Sequence, residues 1–238
     1  MPSTAAVEYL RVTDLHAFYG ESHILHGVDF NVFRGELVAL LGRNGAGRTT
    51  TLKSILGLVG KRSGSIMVNG REVIQWPTHR IARLGIGYCP EERGIFSSLT
   101  AEENLMLPPK LTSEGMGLDD IYTTFPNLKE RRRSQGTRLS GGEQQMLAMA
   151  RILRAGARLL LLDEISEGLA PVIVQKLSEV IQKLKERGFT ILLIEQNFRF
   201  ASKLADRMYV LERGRIAVEV AKQEIPEKQS LLEELLGV

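Results

Sequence analysis

The sequence predicts an α/β fold on a mainly parallel sheet, joined by an antiparallel β region and a helical subdomain, and three observations predict it. Short unbroken apolar runs at Glu36–Leu41 (ELVALL), Leu159–Leu162 (LLLL) and Thr190–Ile194 (TILLI) read as strands buried on both faces. A parallel sheet requires such strands, because its crossover helices cover both sides. The first run leads directly into a glycine-rich loop and then into a polar-apolar mixture, Thr49–Leu58, that suits a helix. From Pro90 to Arg154 the strand signals vanish, and Pro108, Pro109, Gly115, Gly117 and Pro126 punctuate helical stretches instead.

Ahead of the first buried run, Leu25–Val32 mixes apolar and polar residues at roughly alternating positions, with Phe33 following, as a half-exposed antiparallel strand does. Between the second and third runs lies an amphipathic segment with apolar Ile173, Leu177, Val180, Ile181 and Leu184, which completes a β-α-β unit. Met208–Leu211 and Arg215–Val220 flank Glu212, Arg213 and Gly214 and read as a terminal hairpin. The expected organisation is one domain over 1–238, with a core at 1–91 and 155–238 and a helical subdomain at about 92–154.

Composition narrows the function classes. Hydrophobic residues make up 43% and charged residues 25%, so disorder and rod-like folds are excluded. The single cysteine, Cys89, rules out a disulfide within the chain, and a chain of this length buries enough surface to fold without one. Lysine and arginine number 31 against 28 acidic residues, a net +3 too weak for a polybasic nucleic-acid binder, so no nucleic-acid partner is expected. The run Lys129–Arg133 reads as a solvated helix face, and the four histidines, lacking metal spacing with cysteine, read as structural. No apolar run reaches the roughly 18 residues of a membrane span and no signal-peptide layout appears, so a cytoplasmic location is expected.

The chemistry begins at Gly42-Arg43-Asn44-Gly45-Ala46-Gly47-Arg48-Thr49, followed by Thr50. It fits the phosphate-loop pattern G-x-x-x-x-G-K-[ST] everywhere except the lysine position, which holds Arg48. Glycines let successive N–H groups converge on phosphate oxygens, the following helix start adds partial positive charge, and Thr49 offers a hydroxyl to Mg²⁺. Leu159–Leu162 then deliver Asp163 and Glu164 to a strand end. There Asp163 suits Mg²⁺ through its water shell, and Glu164 suits orienting or deprotonating an attacking water.

Leu139-Ser140-Gly141-Gly142-Glu143-Gln144-Gln145 carries a resemblance. LSGGEQQ, with the phosphate loop and the LLLLDE run in the right order over essentially the whole chain, resembles the ATP-binding-cassette (ABC) ATPases. The resemblance implies that Ser140, Gly141, Gly142 and Glu143 open a helix facing the γ-phosphate of ATP held by the opposite subunit, as helix-end electrostatics allow. It places Tyr19 against adenine, Glu91 at the hinge position that reaches the metal, and Gln196 at the switch position beside the γ-phosphate. Gly85–Glu91, Gly94–Thr100 and Leu193–Asn197 resemble the shorter of the two ATPase subunits in branched-chain amino-acid importers.

That resemblance implies ATP and Mg²⁺, a second ABC ATPase chain as hetero- or homodimer, two membrane permease subunits, an external solute-binding protein, and a place on the inner face of the plasma membrane. Ile165 stands where the family has proline after the glutamate, and Ala170 stands in the loop Ser166–Pro171 where many relatives have aspartate. Arg48 is expected to slow turnover, because a planar guanidinium replaces a compact ammonium. The alternatives are a nucleotide-binding regulatory subunit with little hydrolysis of its own, or an importer ATPase for urea, amides or aromatic acids.

Overall fold

The computed structural model describes residues 7–237. In chain order these form β1 (Glu8–Tyr19), β2 (Ser22–Phe33), β3 (Leu37–Gly42), α1 (Arg48–Ile55), β4 (Lys61–Val68), β5 (Arg71–Glu72), α2 (Thr78–Ala82) and β6 (Ile86–Cys89). Then come α3 (Ala101–Met106), α4 (Leu118–Thr124), α5 (Pro126–Glu130), α6 (Gly141–Ala155), β7 (Leu159–Asp163) and α7 (Pro171–Glu186). The chain closes with β8 (Thr190–Glu195), α8 (Phe198–Leu204), β9 (Arg207–Glu212), β10 (Arg215–Ala221) and α9 (Ile225–Leu236).

Six strands form the main sheet in the order β10-β9-β3-β8-β7-β6, parallel except for the β9–β10 hairpin. The four remaining strands make an antiparallel sheet, β2-β1-β4-β5. The unbroken apolar runs have a direct cause. Alternate residues of β3 enter two different cores, Leu37, Ala39 and Leu41 on the side of α6 to α9, Val38 and Leu40 on the side of β1, β2 and α1. Likewise Leu160 and Leu162 face the first core while Leu159 and Leu161 face the second. Each strand needs apolar side chains on both faces, so alternation disappears.

Residues 101–155 hold only helices, apart from one bridge between Thr100 and Gln135 outside them. Leu105, Ile121, Phe125 and Leu128 of this segment share the first core with the sheet, so the insertion is packed on and not merely tethered.

The helix after the phosphate loop spans Arg48–Ile55, not Thr49–Leu58. Gly57 has φ 74° and Leu58 N–H turns back to the Lys53 carbonyl at 2.8 Å, which stops it. Four strands escape the sequence reading, among them the two-residue β5, too short to show any periodicity. In β1 the alternation is broken by register shifts between Val12 and His16, with Asp14 at φ 47°. β4 is mostly polar, and the four-residue β6 sits inside a glycine-containing string that periodicity cannot resolve.

Candidate functional site

The C-terminal ends of parallel strands are where an α/β sheet gathers ligand groups. Here β3, β8, β7 and β6 end side by side, with Leu41 level with Glu195, Asp163 with Ile194, and Cys89 with Leu162. The residues that follow each strand therefore converge: the glycine loop, Gln196, Glu164, and Pro90 with Glu91.

The loop from Gly42 to Arg48 turns back on itself through Ala46 N–H to the Arg43 carbonyl at 3.0 Å, and Gly214 N–H grips the Ala46 carbonyl at 2.9 Å. Gly47 caps α1 at φ 108°, a conformation L side chains avoid. A Cβ there would also lie 2.7 Å from Leu25. Arg43 to Thr50, with Ile24 and Glu164, line a cavity of about 300 Å³.

Asp163 is 1% exposed, yet its only hydrogen-bond donors among the described residues are two hydroxyls, Thr49 at 3.2 Å on Oδ1 and Tyr88 at 3.0 Å on Oδ2. Burial pushes its pKa up to about 6, against the lowering effect of those two bonds. Tyr88 is pushed up in turn, first by burial and then by the Asp163 charge. A buried carboxylate beside a threonine hydroxyl, with no side-chain cation paired to it among the described residues, is a hard-oxygen donor pair that fits Mg²⁺ completed by phosphate and water.

Glu164 sits at φ 47°, its N–H held by the Ile194 carbonyl at 2.9 Å. Its Oε1 accepts from Arg48 Nη2 at 2.5 Å, and the same nitrogen donates to Asn44 Oδ1 at 3.1 Å. Arg48 is 4% and Glu164 11% exposed.

Glu195 is the residue the sequence reading passed over. It closes β8 fully buried and accepts from Ser166 N–H at 3.0 Å and Ser166 Oγ at 2.9 Å, tying the loop after Glu164 to the strand that leads into Gln196. Burial raises its pKa to about 7, with the Ser166 bonds opposing. A carboxylate ending an otherwise apolar strand was the available signal.

The LSGGEQQ segment folds as a capping box. Ser140 Oγ accepts from Glu143 N–H at 3.3 Å, while Glu143 Oε2 accepts from Ser140 N–H and Oγ, each at 2.8 Å. Burial would raise the Glu143 carboxyl, but the Ser140 donors and Arg131 together hold it low. Gly142 packs on α7 so closely that a Cβ would lie 2.4 Å from Ile173 Cγ2.

The structure thus brings Gly42 to Thr50, Asp163 and Glu164 together, with Gln196 and Glu91 exposed on the adjoining strand ends. Tyr19, 47% exposed at the β1–β2 turn, and Ser140 do not line the phosphate-loop cavity of this chain.

A phosphate loop at a strand-to-helix junction, with an aspartate and a glutamate at the end of a parallel strand two places along the sheet, defines an ATP-binding protein of the phosphate-loop class. Residues 25–167 match the ABC transporter family, and the chain belongs to it. The chain is 46% identical to the high-affinity branched-chain amino acid transport ATP-binding protein BraG of Pseudomonas aeruginosa, over 84% of this chain and 88% of that one. It is 37% identical to the probable branched-chain amino acid transport ATP-binding protein LivF of Archaeoglobus fulgidus, over 96% and 99%. Among solved structures, the ATP binding subunit of an ABC transporter superposes with a TM-score of 0.80 at 30% identity, over 97% and 100%. Among the described residues no helix is long and apolar enough to cross a membrane.

Proposed function

We propose that this chain is the ATP-hydrolysing subunit of an importer for branched-chain amino acids. The observation that carries the hydrolytic half is the convergence of Thr49, Asp163 and Glu164 at the mouth of the phosphate loop. The cargo rests on the likeness to BraG and LivF.

In this reading Gly42 to Thr50 wrap the phosphates and Tyr19 stacks on adenine. Thr49, Asp163 and Glu91 would hold Mg²⁺, which would supply positive charge to the bound phosphates. Glu164 accepts the proton of the attacking water, and Gln196 steadies the γ-phosphate from the adjacent strand end. Ser140, Gly141, Gly142 and Glu143 present the start of α6 to ATP on the opposite subunit of a homo- or heterodimer.

Residues 92–154 act as a subdomain on the 1–91 and 155–238 core. Its half-exposed Phe96, Met106, Leu107 and Leu111 offer apolar surface to two permease subunits at the inner face of the membrane, which work with an external solute-binding protein.

Proteoliposomes holding the chain, its permease pair and the binding protein test the proposal. Labelled leucine should accumulate only with MgATP, and Glu164→Gln should stop it. Outward movement of solute, or uptake of urea or an amide in place of leucine, would overturn the cargo or direction.

The Arg48–Glu164 pair favours a second reading, a nucleotide-binding regulatory subunit with little turnover. Steady-state phosphate release separates the two. Arg48→Lys should raise the rate roughly tenfold, about 1.4 kcal/mol in the barrier, with a much smaller change in ATP affinity. Equal rates for both forms would remove the case for slow turnover.

A further inference from the structure

We propose that Arg48 and Glu164 form a latch across the phosphate loop, and that the terminal phosphate of a nucleoside triphosphate opens it while a diphosphate does not. The proposal rests on the reading of the loop as a nucleotide site and adds a specificity role to Glu164.

The pair joins a buried arginine to a largely buried glutamate. Arg48 lies at the first position of α1 and Glu164 directly after β7, 116 residues apart, and both line the same cavity. Arg48 Nη2 is shared between the Glu164 carboxylate and Asn44 Oδ1, which fixes the plane of the guanidinium. Nη1 is buried without a hydrogen-bond partner among the described residues. A buried donor left unpaired is a site waiting for an acceptor, and the fork geometry of arginine lets that acceptor be an anion bound at two points.

Two consequences follow from charge. A buried guanidinium needs an anionic partner, so exchange of one anion for another opens the latch without leaving that charge bare. Glu164 Oε1 is in turn occupied for as long as it holds the guanidinium. The neighbouring carboxyl of Glu167 is raised, first by its hydrogen bond to Glu164 and then by the Glu164 charge, while Arg48 opposes that rise. Arg48 is thus the cation that offsets a group of acids at this strand end.

A diphosphate can occupy the backbone N–H groups of the loop and leave the latch shut. A triphosphate places its dianionic terminal phosphate one group further along, at the end of the loop that the lysine position serves, where it competes with Glu164 for Arg48. Winning that competition places positive charge on the terminal phosphate and frees the carboxylate in one exchange.

Calorimetric titration of the full chain with Mg²⁺-ADP and with a non-hydrolysable Mg²⁺-ATP analogue tests this on the parent, Glu164→Gln, Arg48→Met and the double variant. Removing the carboxylate charge should tighten the triphosphate analogue by roughly fivefold or more, the scale of an ordinary coupling between sites, and leave ADP nearly unchanged. The gain should disappear in the Arg48→Met background. An equal gain with and without Arg48 would mean simple charge repulsion and overturn the latch, as would an equal gain for ADP. Should Arg48→Met fold poorly, the side-chain nitrogen resonances of Arg48 decide in the parent protein. They should keep their nucleotide-free positions with ADP and shift with the analogue, and a shift of equal size with both refutes the proposal. A parent chain that binds neither nucleotide would instead defeat the underlying reading of the loop.

Discussion

Asp163→Asn removes a charge that the nucleotide-free fold is poorly equipped to hold. The side chain is buried, its partners are two neutral hydroxyls, and its pKa is raised to about 6 from an ordinary 3.8. A carboxyl whose folded value lies above its unfolded value binds its proton more tightly in the native state. Stability from this group is therefore complete below about pH 4 and drains away as pH rises through 6. At about 1.4 kcal/mol per pH unit, the ionised side chain costs roughly 3 kcal/mol at pH 8 as an upper figure. Asparagine keeps the shape, and the hydroxyls of Thr49 and Tyr88 can rotate to accept as well as donate. The variant should melt higher than the parent by roughly 5–10 °C at pH 8 without nucleotide, for a chain of this size, and nearly equally at pH 4. Thermal denaturation across pH 4–8 checks this. Millimolar Mg²⁺ with ATP should raise the parent's melting point and have little effect on the variant. A variant less stable than the parent at pH 8, or a gap that does not change with pH, would show that burial of this charge is already compensated and would refute the reasoning.

Three further expectations concern α6 and its cap. Ser140→Arg should abolish ATP-dependent dimerisation on gel filtration while nucleotide affinity stays within about twofold, because Ser140 lies outside this chain's own phosphate cavity. Ser140→Ala, which loses only the cap, should cost about 1 kcal/mol and still dimerise. Parallel loss of affinity and dimerisation in Ser140→Arg would put the serine in its own subunit's pocket. Gly142→Ala pushes a methyl group into Ile173, 2.4 Å away, and should destabilise the chain by roughly 1–3 kcal/mol in urea unfolding, with Ile173→Val recovering part of the loss. No recovery would mean that the clash is relieved elsewhere.

Much of the core was readable because it follows from local pattern. ELVALL, LLLL and TILLI had to be strands with two buried faces, and each became a neighbour in one parallel sheet. The capping box at Ser140 and Glu143 and the glycine loop before α1 are likewise contiguous and need only a few residues of context. β1, β4, β5 and β6 were hidden because bulges, polar edges and short length erase periodicity, and β1, β4 and β6 pair with partners far along the chain.

By itself, the sequence determined the fold class, the family, and the residue types offered to a nucleotide, since contiguous motifs carry their own geometry. The tertiary structure decided which of those residues meet. Arg48 and Glu164 are 116 positions apart and become an ion pair only because β3 and β7 flank β8 in one sheet. Glu195 holds Ser166 for the same reason, across 29 positions. Such contacts depend on strand order and register, and these are set by the burial of two separate cores on the two faces of the sheet rather than by any local run of residues.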